Sequence, residues 1–204
     1  MKALIFDFDG TIADSFETLL VVFQDVTKRK TALTPAEVIE LRGKKLNEII
    51  KYLKVRKYQI PRLILKAKKE LAIRMPGIHP FPGVKQALAE LSQQNKIYIL
   101  STNSPENISA FLKKNHLDGY VAKIYGNIGL RGKTTALKKL IKAEGLDRQN
   151  CVYIGDETRD IEAARKAKVT SAGVTWGFNT PEAIKNSKPD ILIEKTRKLT
   201  KFLK

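Results

Sequence analysis

KALIFDFDGTIADS, Lys2 to Ser15, is the stretch from which the fold can be read. Its apolar residues run nearly unbroken to Phe8, the pattern of a strand buried on both faces. The same run carries Asp7 and Asp9, one residue apart, and then turns at Gly10-Thr11. Two aspartates beside a turn ordinarily serve as turn formers or helix caps. A strand this hydrophobic that ends in paired carboxylates raises a second reading, in which the strand end is part of a site.

Further along the chain, KIYILSTN (96–103), VAKIYGN (121–127) and CVYIGD (151–156) read as strands, with SAGVTWG (171–177) and DILIE (190–194) as shorter ones. Helical patterns lie between them. Val84, Ala87, Leu88 and Leu91 share one face, as do Ile108, Phe111 and Leu112, and then Ile161, Ala164 and Ala167. KTTALKKLIKAEGL ends at Gly145, a plausible C-terminal cap. Strand and helix alternate, so the expected class is α/β, a doubly wound and mostly parallel sheet with helices on both faces. Ligands of such sheets bind at the carboxyl ends of the strands.

Residues 15–80 interrupt the alternation. FETLLVVFQDVTKRK, TPAEVIELRG, KLNEIIKYLK and PRLILKAKKELAIRM all read as helices, and the segment closes at PGIHPFPG, a Pro- and Gly-rich return. The expected organisation is a core domain of residues 1–14 and 81–204 with a helical insertion over 15–80.

The polar residues at the strand ends carry the chemistry. The first strand ends in Asp7, Asp9, Gly10 and Thr11, the second in Ser101, Thr102 and Asn103, the fourth in Gly155 and Asp156. Asp160 follows one helical turn later, and Lys133 opens the preceding helix. Parallel strands bring these ends to one edge. Four carboxylates there repel one another unless a cation neutralises them. Hard oxygen ligands with open positions suit Mg2+ beside a phosphate group. GNIGLRGKT imitates a phosphate-binding Walker loop, but five residues separate Gly126 from Gly132 where that motif needs four. His79 sits in the Pro-rich return and His116 ends a helix, neither with metal-ligand company; Trp176 reads as packing.

In their order these segments resemble the haloacid dehalogenase-like hydrolase superfamily. DFDGT (7–11) matches its DxDGT motif, ILSTNS its hydroxyl at a strand end, Lys133 in RGKTTAL its lysine, and GDETRD (155–160) its GDxxxD motif. FPGV (81–84) and EAARKAKV (162–169) are similar to the phosphoglycolate phosphatase-like branch. The resemblance covers nearly the whole chain. It implies a phosphatase in which Asp7 is the nucleophile that becomes an aspartyl-phosphate, and Asp9 the general acid and then base. Asp9 then needs a raised pKa, and Gly10 a turn that redirects it. Mg2+ would be held by Asp7, the Asp9 carbonyl and Asp156. Gly10, Thr11, Thr102, the Asn103 amide and Lys133 would bind the phosphoryl group. Ser101 competes with Thr102 for the hydroxyl role. Asp160 would orient Lys133 or a metal water. Glu157 either helps in the same way or is a solvated first-turn acid. The insertion over 15–80 would be a cap that closes over the site.

Composition narrows the partners. The 204 residues are 29% charged and 43% hydrophobic, a globular balance. The single cysteine, Cys151, excludes an internal disulfide and reads as a buried strand thiol. No signal peptide is visible, and no apolar stretch approaches the ~20 residues of a membrane span; a cytoplasmic protein with no membrane partner is expected. The net charge is +17, which favours anionic partners. The insertion holds fifteen Lys or Arg against six Asp or Glu, a net of +9, leaving +8 for the rest, which is more than twice as long. Most of these are solvated helix-face lysines. Arg42, Lys44 and Lys45, at the LRGKK break, are candidates to meet a second anion on the leaving group, such as a carboxylate or another phosphate. The leading function is a Mg2+-dependent phosphatase of a small phosphorylated metabolite. A phosphomutase would use the same acids but shield the phospho-enzyme from water. A nucleic-acid-binding protein, or a phosphatase of nucleic-acid ends, is suggested by charge alone, without a recognition motif. The oligomeric state is left open.

Overall fold

The computed structural model describes residues 1–26, 33–41, 44, 46–52, 55–56, 58, 60–129 and 132–203. Six strands, β1 (Ala3–Phe6), β2 (Lys96–Leu100), β3 (Lys123–Tyr125), β4 (Cys151–Gly155), β5 (Thr170–Val174) and β6 (Ile191–Ile193), form one sheet in the order β3-β2-β1-β4-β5-β6. Every pairing is parallel, where the sequence led us to expect a mostly parallel sheet. β1 is the pivot: Phe6 stands opposite Ile99 of β2 and Ile154 of β4. The loops that follow β1, β2 and β4 therefore leave the sheet side by side. β1 is shorter than its apolar run, which reaches Phe8. In β1 the cause is visible, because the Asp7 amide still donates to the Ile154 carbonyl (2.8 Å) before the backbone turns back on Phe8.

The period-two alternation of β1 sorts its side chains into two cores. Leu4 and Phe6 face α5 (Val84–Leu91), α6 (Pro105–Lys114) and α10 (Leu199–Leu203); Ala3 and Ile5 face α7 (Lys133–Ala143) and α8 (Thr158–Ala167). The helical periodicities hold: Val84, Ala87, Leu88 and Leu91 are buried, as are Ile108, Phe111 and Leu112. α6 begins at Ser104, whose hydroxyl accepts from the Asn107 amide, with Pro105 in the first turn. Gly145, with φ +60, stands one residue beyond the C-cap of α7. Cys151 is buried in β4, and burial pushes its thiol up to about 11. α9 (Pro181–Asn186) precedes β6.

Between β1 and α5 lie α1 (Phe16–Val26), α2 (Pro35–Leu41), α3 (Leu46–Tyr52) and α4 (Ile60–Arg74). Phe16, Leu20, Leu41 and Ile49 form a third, smaller apolar cluster in this segment. Its two ends meet in a short antiparallel neck: Ala13 bridges Pro80, the Asp14 amide donates to the His79 carbonyl (2.9 Å), and Phe81 to Ile12 (3.0 Å). No helix among the described residues is long and apolar enough to cross a membrane.

The turn after β1 is pinned by an aromatic anchor. Phe8 is fully buried and meets Phe111 of α6 edge to face, with centroids 5.0 Å apart. Phe111→Ala is expected to lower stability by about 3–5 kcal/mol in urea unfolding. A loss under about 1 kcal/mol would show that Phe8 is held by something else.

Candidate active site

Lys133 opens α7 on the same face as Leu137, Leu140 and Ile141, the buried stripe of that helix. A lysine on an apolar stripe is drawn into the protein, and Lys133 is only 3% exposed. Its ammonium lies 2.5 Å from Asp7 Oδ2 and 2.5 Å from Asp160 Oδ1. Burial works against the charged ammonium, but Asp160 and Asp7 outweigh it and hold the pKa well above the ordinary lysine value. The Tyr153 hydroxyl also donates to Asp160 Oδ1 (3.3 Å), while Asp160 Oδ2 accepts the Glu157 amide (3.1 Å) at the start of α8. Asp160 thus ties Lys133 to the helix. Glu157 is the N-cap residue of α8 and pairs with Arg159.

Asp7 is buried, and its Oδ1 accepts the amide of Phe8 (2.8 Å). Burial pushes its pKa up to about 7; Lys133 pulls the other way and Asp160 adds to the rise. Asp9, two residues on, is half-buried. Ser15 donates to its Oδ1 (2.8 Å) and Asn103 Nδ2 to its Oδ2 (3.2 Å). Asn103 Oδ1 in turn accepts from Asn107 Nδ2 (3.0 Å) and the Ser104 amide (2.9 Å). Burial raises the pKa of Asp9 and these two donors partly offset it, the direction required of a general acid.

Asp156 is fully buried at the end of β4. Thr11 Oγ1 donates to its Oδ1 (2.7 Å) and the Phe178 amide to its Oδ2 (2.7 Å). Burial, then Glu157 and Asp7, hold its pKa well above the usual carboxylate range. Gly10 makes the turn beside it with φ +80, and a Cβ there would run into the Asp156 carboxylate and lie 2.8 Å from the Phe178 ring. Glycine is required both by the backbone angle and by the space.

Asp7, Asp156 and Asp160 each offer an oxygen within 4.8 Å of the others. Three buried acids against one ammonium leave excess negative charge; burial raises the pKa values of Asp7 and Asp156, and the neighbouring acids add to the rise. The donor set, hard oxygens in a buried cluster, fits a divalent cation. Asp160 accepts from three groups, Lys133, Tyr153 and an amide, and Asp7 and Asp156 from two each, so these two keep more lone pairs with which they could hold a metal. The Asp9 side chain is turned to Ser15 and Asn103, so any share of Asp9 falls to its carbonyl.

The other expected residues divide. Thr102 is half-buried in the loop after β2, beside Ser101, whose Oγ accepts the Asn103 amide (3.1 Å); helix capping there belongs to Ser104, not Thr102. Lys44 lies 2.5 Å from Glu40 and 5.7 Å from the Tyr52 ring centroid, paired within the insertion. Arg42 and Lys45 lie outside the described residues. Trp176 packs on Phe81, as expected, and also donates from Nε1 to the Thr11 carbonyl (3.2 Å). The side chains of Ser15 and Asn103 as partners of Asp9, and the Phe178 amide as a partner of Asp156, were missed from sequence. For Ser15 the signal was a polar residue closing the apolar run; for Phe178 there was none.

A profile of the family described as "Haloacid dehalogenase-like hydrolase" matches residues 4–174. The chain belongs to the haloacid dehalogenase-like hydrolase family. It is 33% identical to a phosphoglycolate phosphatase of Synechococcus elongatus, over 95% of this chain and 93% of that one. To the pyrophosphatase PpaX of Listeria innocua it is 25% identical, over 96% and 93%. Among solved structures, a haloacid dehalogenase-like hydrolase from Bacteroides fragilis is 28% identical with a TM-score of 0.83, over 97% of this chain and 99% of that one. A family protein from Streptococcus pneumoniae matches with a TM-score of 0.86 at 21% identity, over 100% and 99%, and so shows the fold alone. The family resemblance, the α/β fold class and the enzyme class of a haloacid dehalogenase-like phosphatase all hold.

Two outcomes follow for a protein of this family. Lys133→Met leaves Asp7 and Asp160 without their cation, and a loss of about 3–5 kcal/mol at pH 7 is expected in urea unfolding. The folded pKa of Asp7 is raised from 3.8 to about 7, so its stabilising contribution is full below the unfolded value and is lost as pH rises through 7. Without added metal, stability should fall by roughly 2–3 kcal/mol between about pH 5 and 8. Added Mg2+ should recover more of it at the alkaline end. A urea midpoint that is flat or rises across that window refutes this.

Proposed function

We propose that this protein is a phosphatase that hydrolyses a small phosphorylated metabolite by way of a phosphoryl group carried on Asp7. One observation carries the reading: a buried carboxylate held by a buried ammonium, two residues from a second carboxylate that is half-exposed and of raised pKa. In this reading the first attacks and the second moves a proton.

Asp7 attacks phosphorus, and a new O–P bond forms as the bond to the leaving oxygen breaks. Asp9 gives its proton to that oxygen. A water then loses a proton to Asp9 and attacks phosphorus, the Asp7–phosphorus bond breaks, and both acids return to their starting states. Ser15 and Asn103 hold the two oxygens of Asp9 through both half-reactions. Lys133, aimed by Asp160, balances charge on the phosphoryl oxygens, and the Thr102 hydroxyl donates to them. Asp7, Asp156 and the Asp9 carbonyl would hold Mg2+, which would neutralise charge on the phosphoryl group and keep Asp7 ionised.

The helical segment 15–80 serves in this reading as a cap on a core of residues 1–14 and 81–204. Its neck at Ala13–Pro80 lies a few residues from Asp9, so cap movement is applied next to the catalytic turn. The basic charge of the segment supports a leaving group with its own anion. Both relatives named above fit that class, since phosphoglycolate carries a carboxylate and pyrophosphate a second phosphate.

A phosphate-release assay with Mg2+, run on phosphoglycolate, pyrophosphate and esters of uncharged alcohols, tests this. Release is expected to favour the doubly anionic substrates, to stop with chelator, and to fall at least ~10³-fold in Asp7→Asn. Undiminished turnover in Asp7→Asn removes the nucleophile from the scheme.

A further inference from the structure

The loop after β5, Trp176–Asn179, meets the acid site at Gly10, Thr11, Asp156 and the start of α8. Trp176 donates to the carbonyl of Thr11, whose hydroxyl donates to Asp156. Gly177 lies so close to Asp156 that a Cβ would overlap its side chain. The Phe178 amide donates to Asp156 Oδ2, and Asn179 Oδ1 accepts the Thr158 amide (2.9 Å) at the start of α8. The ring of Phe178 leaves this network. It packs on Phe16 of α1, centroids 5.2 Å apart at 63°, and joins the apolar cluster of the insertion with Leu20, Leu41 and Ile49. Among the described residues of that cluster, Phe178 is the one from outside segment 15–80.

We infer that Phe178 is a positioning residue that couples the helical insertion to the cation site: the Phe16 cluster seats its ring, and the seated ring aims its amide at Asp156. The inference rests on the cation reading above and adds a route by which the insertion sets cation affinity. A carboxylate oxygen with a fixed donor keeps one lone-pair direction free and constant for a metal. Loosening the ring lets the amide wander and spreads the carboxylate over orientations that cannot bind. Because the donor is backbone, Phe178→Ala keeps it and removes only the ring, so a weakened site reports positioning and not a deleted hydrogen bond. Phe16→Ala makes the same cut from inside the insertion.

The test is calorimetric titration of MgCl2 into the full chain, with the emission of Trp176, the only tryptophan, as a second readout. Phe178→Ala and Phe16→Ala are each expected to weaken Mg2+ binding by about 10-fold. Phe178→Leu and Phe16→Leu, which refill only part of the space, should fall between the parent and the alanine variants, about 3-fold weaker than the parent. Val21→Ala, at an exposed position of α1, should match the parent, and Asp156→Asn should bind nothing. If the alanine variants do not keep the parent's circular dichroism, the leucine pair decides: affinity between that of parent and Asp156→Asn supports the coupling, and parent affinity refutes it. Parent-like affinity, within twofold, in a folded Phe16→Ala also refutes it while leaving the cation site intact. No saturable binding by the parent removes the cation reading and this coupling with it.

Discussion

A buried ammonium shared by two buried carboxylates is the constraint on which this site depends. Lys133 comes from α7, Asp7 from the end of β1 and Asp160 from α8. Each would be costly to bury alone, and each lowers that cost for the others. The arrangement forces the three elements into one relation. β1 must be central, α7 and α8 must share a face of the sheet, and α7 must begin where β1 ends. The parallel order with β1 between β2 and β4 satisfies all three.

The residual charge explains the division of labour between the acids. Lys133 compensates Asp7 and Asp160, but among the described residues the donors to Asp156 are neutral, Thr11 and the Phe178 amide. That is where excess negative charge collects and where a divalent cation gains most. Asp9 lies apart, half-exposed, with a hydroxyl and an amide as its partners. Its surroundings differ from those of Asp7 although the two are nearly adjacent in sequence, and in the proposed reaction this difference would let one carboxylate attack while the other exchanges a proton. Family membership accords with this chemistry, and the named relatives agree on a phosphate group while differing on what carries it.

The helical segment has its own apolar cluster, so it is more than a long loop, yet the cluster is small and borrows Phe178 from the core. Its neck is a single pair of antiparallel strands' worth of hydrogen bonds beside the catalytic turn. The segment is also joined to the sheet domain by packing, because Met75 and Ile78 near its return are buried in the main core with Leu71 packed on it, and whatever fixes its position matters to the turn it is joined to.

What the sequence determined by itself was the set of strands, their parallel class and the acids at their ends. Strand runs such as LIF and VYIG are apolar without alternation, and only a sheet covered on both faces allows that. Asp7, Asp9 and Asp156 stood out because charged residues abutting such runs have no packing reason to be there, and Lys133 stood out by its match to the family's lysine at a helix start. Tertiary structure alone decided who holds them. Asn103 reaches Asp9 across 94 positions of chain and Thr11 reaches Asp156 across 145, and the Phe178 donor is a backbone amide, which every residue but proline carries. Hydrogen bonds of this kind depend on where loops land after the sheet has assembled, and no periodicity or residue type encodes that landing.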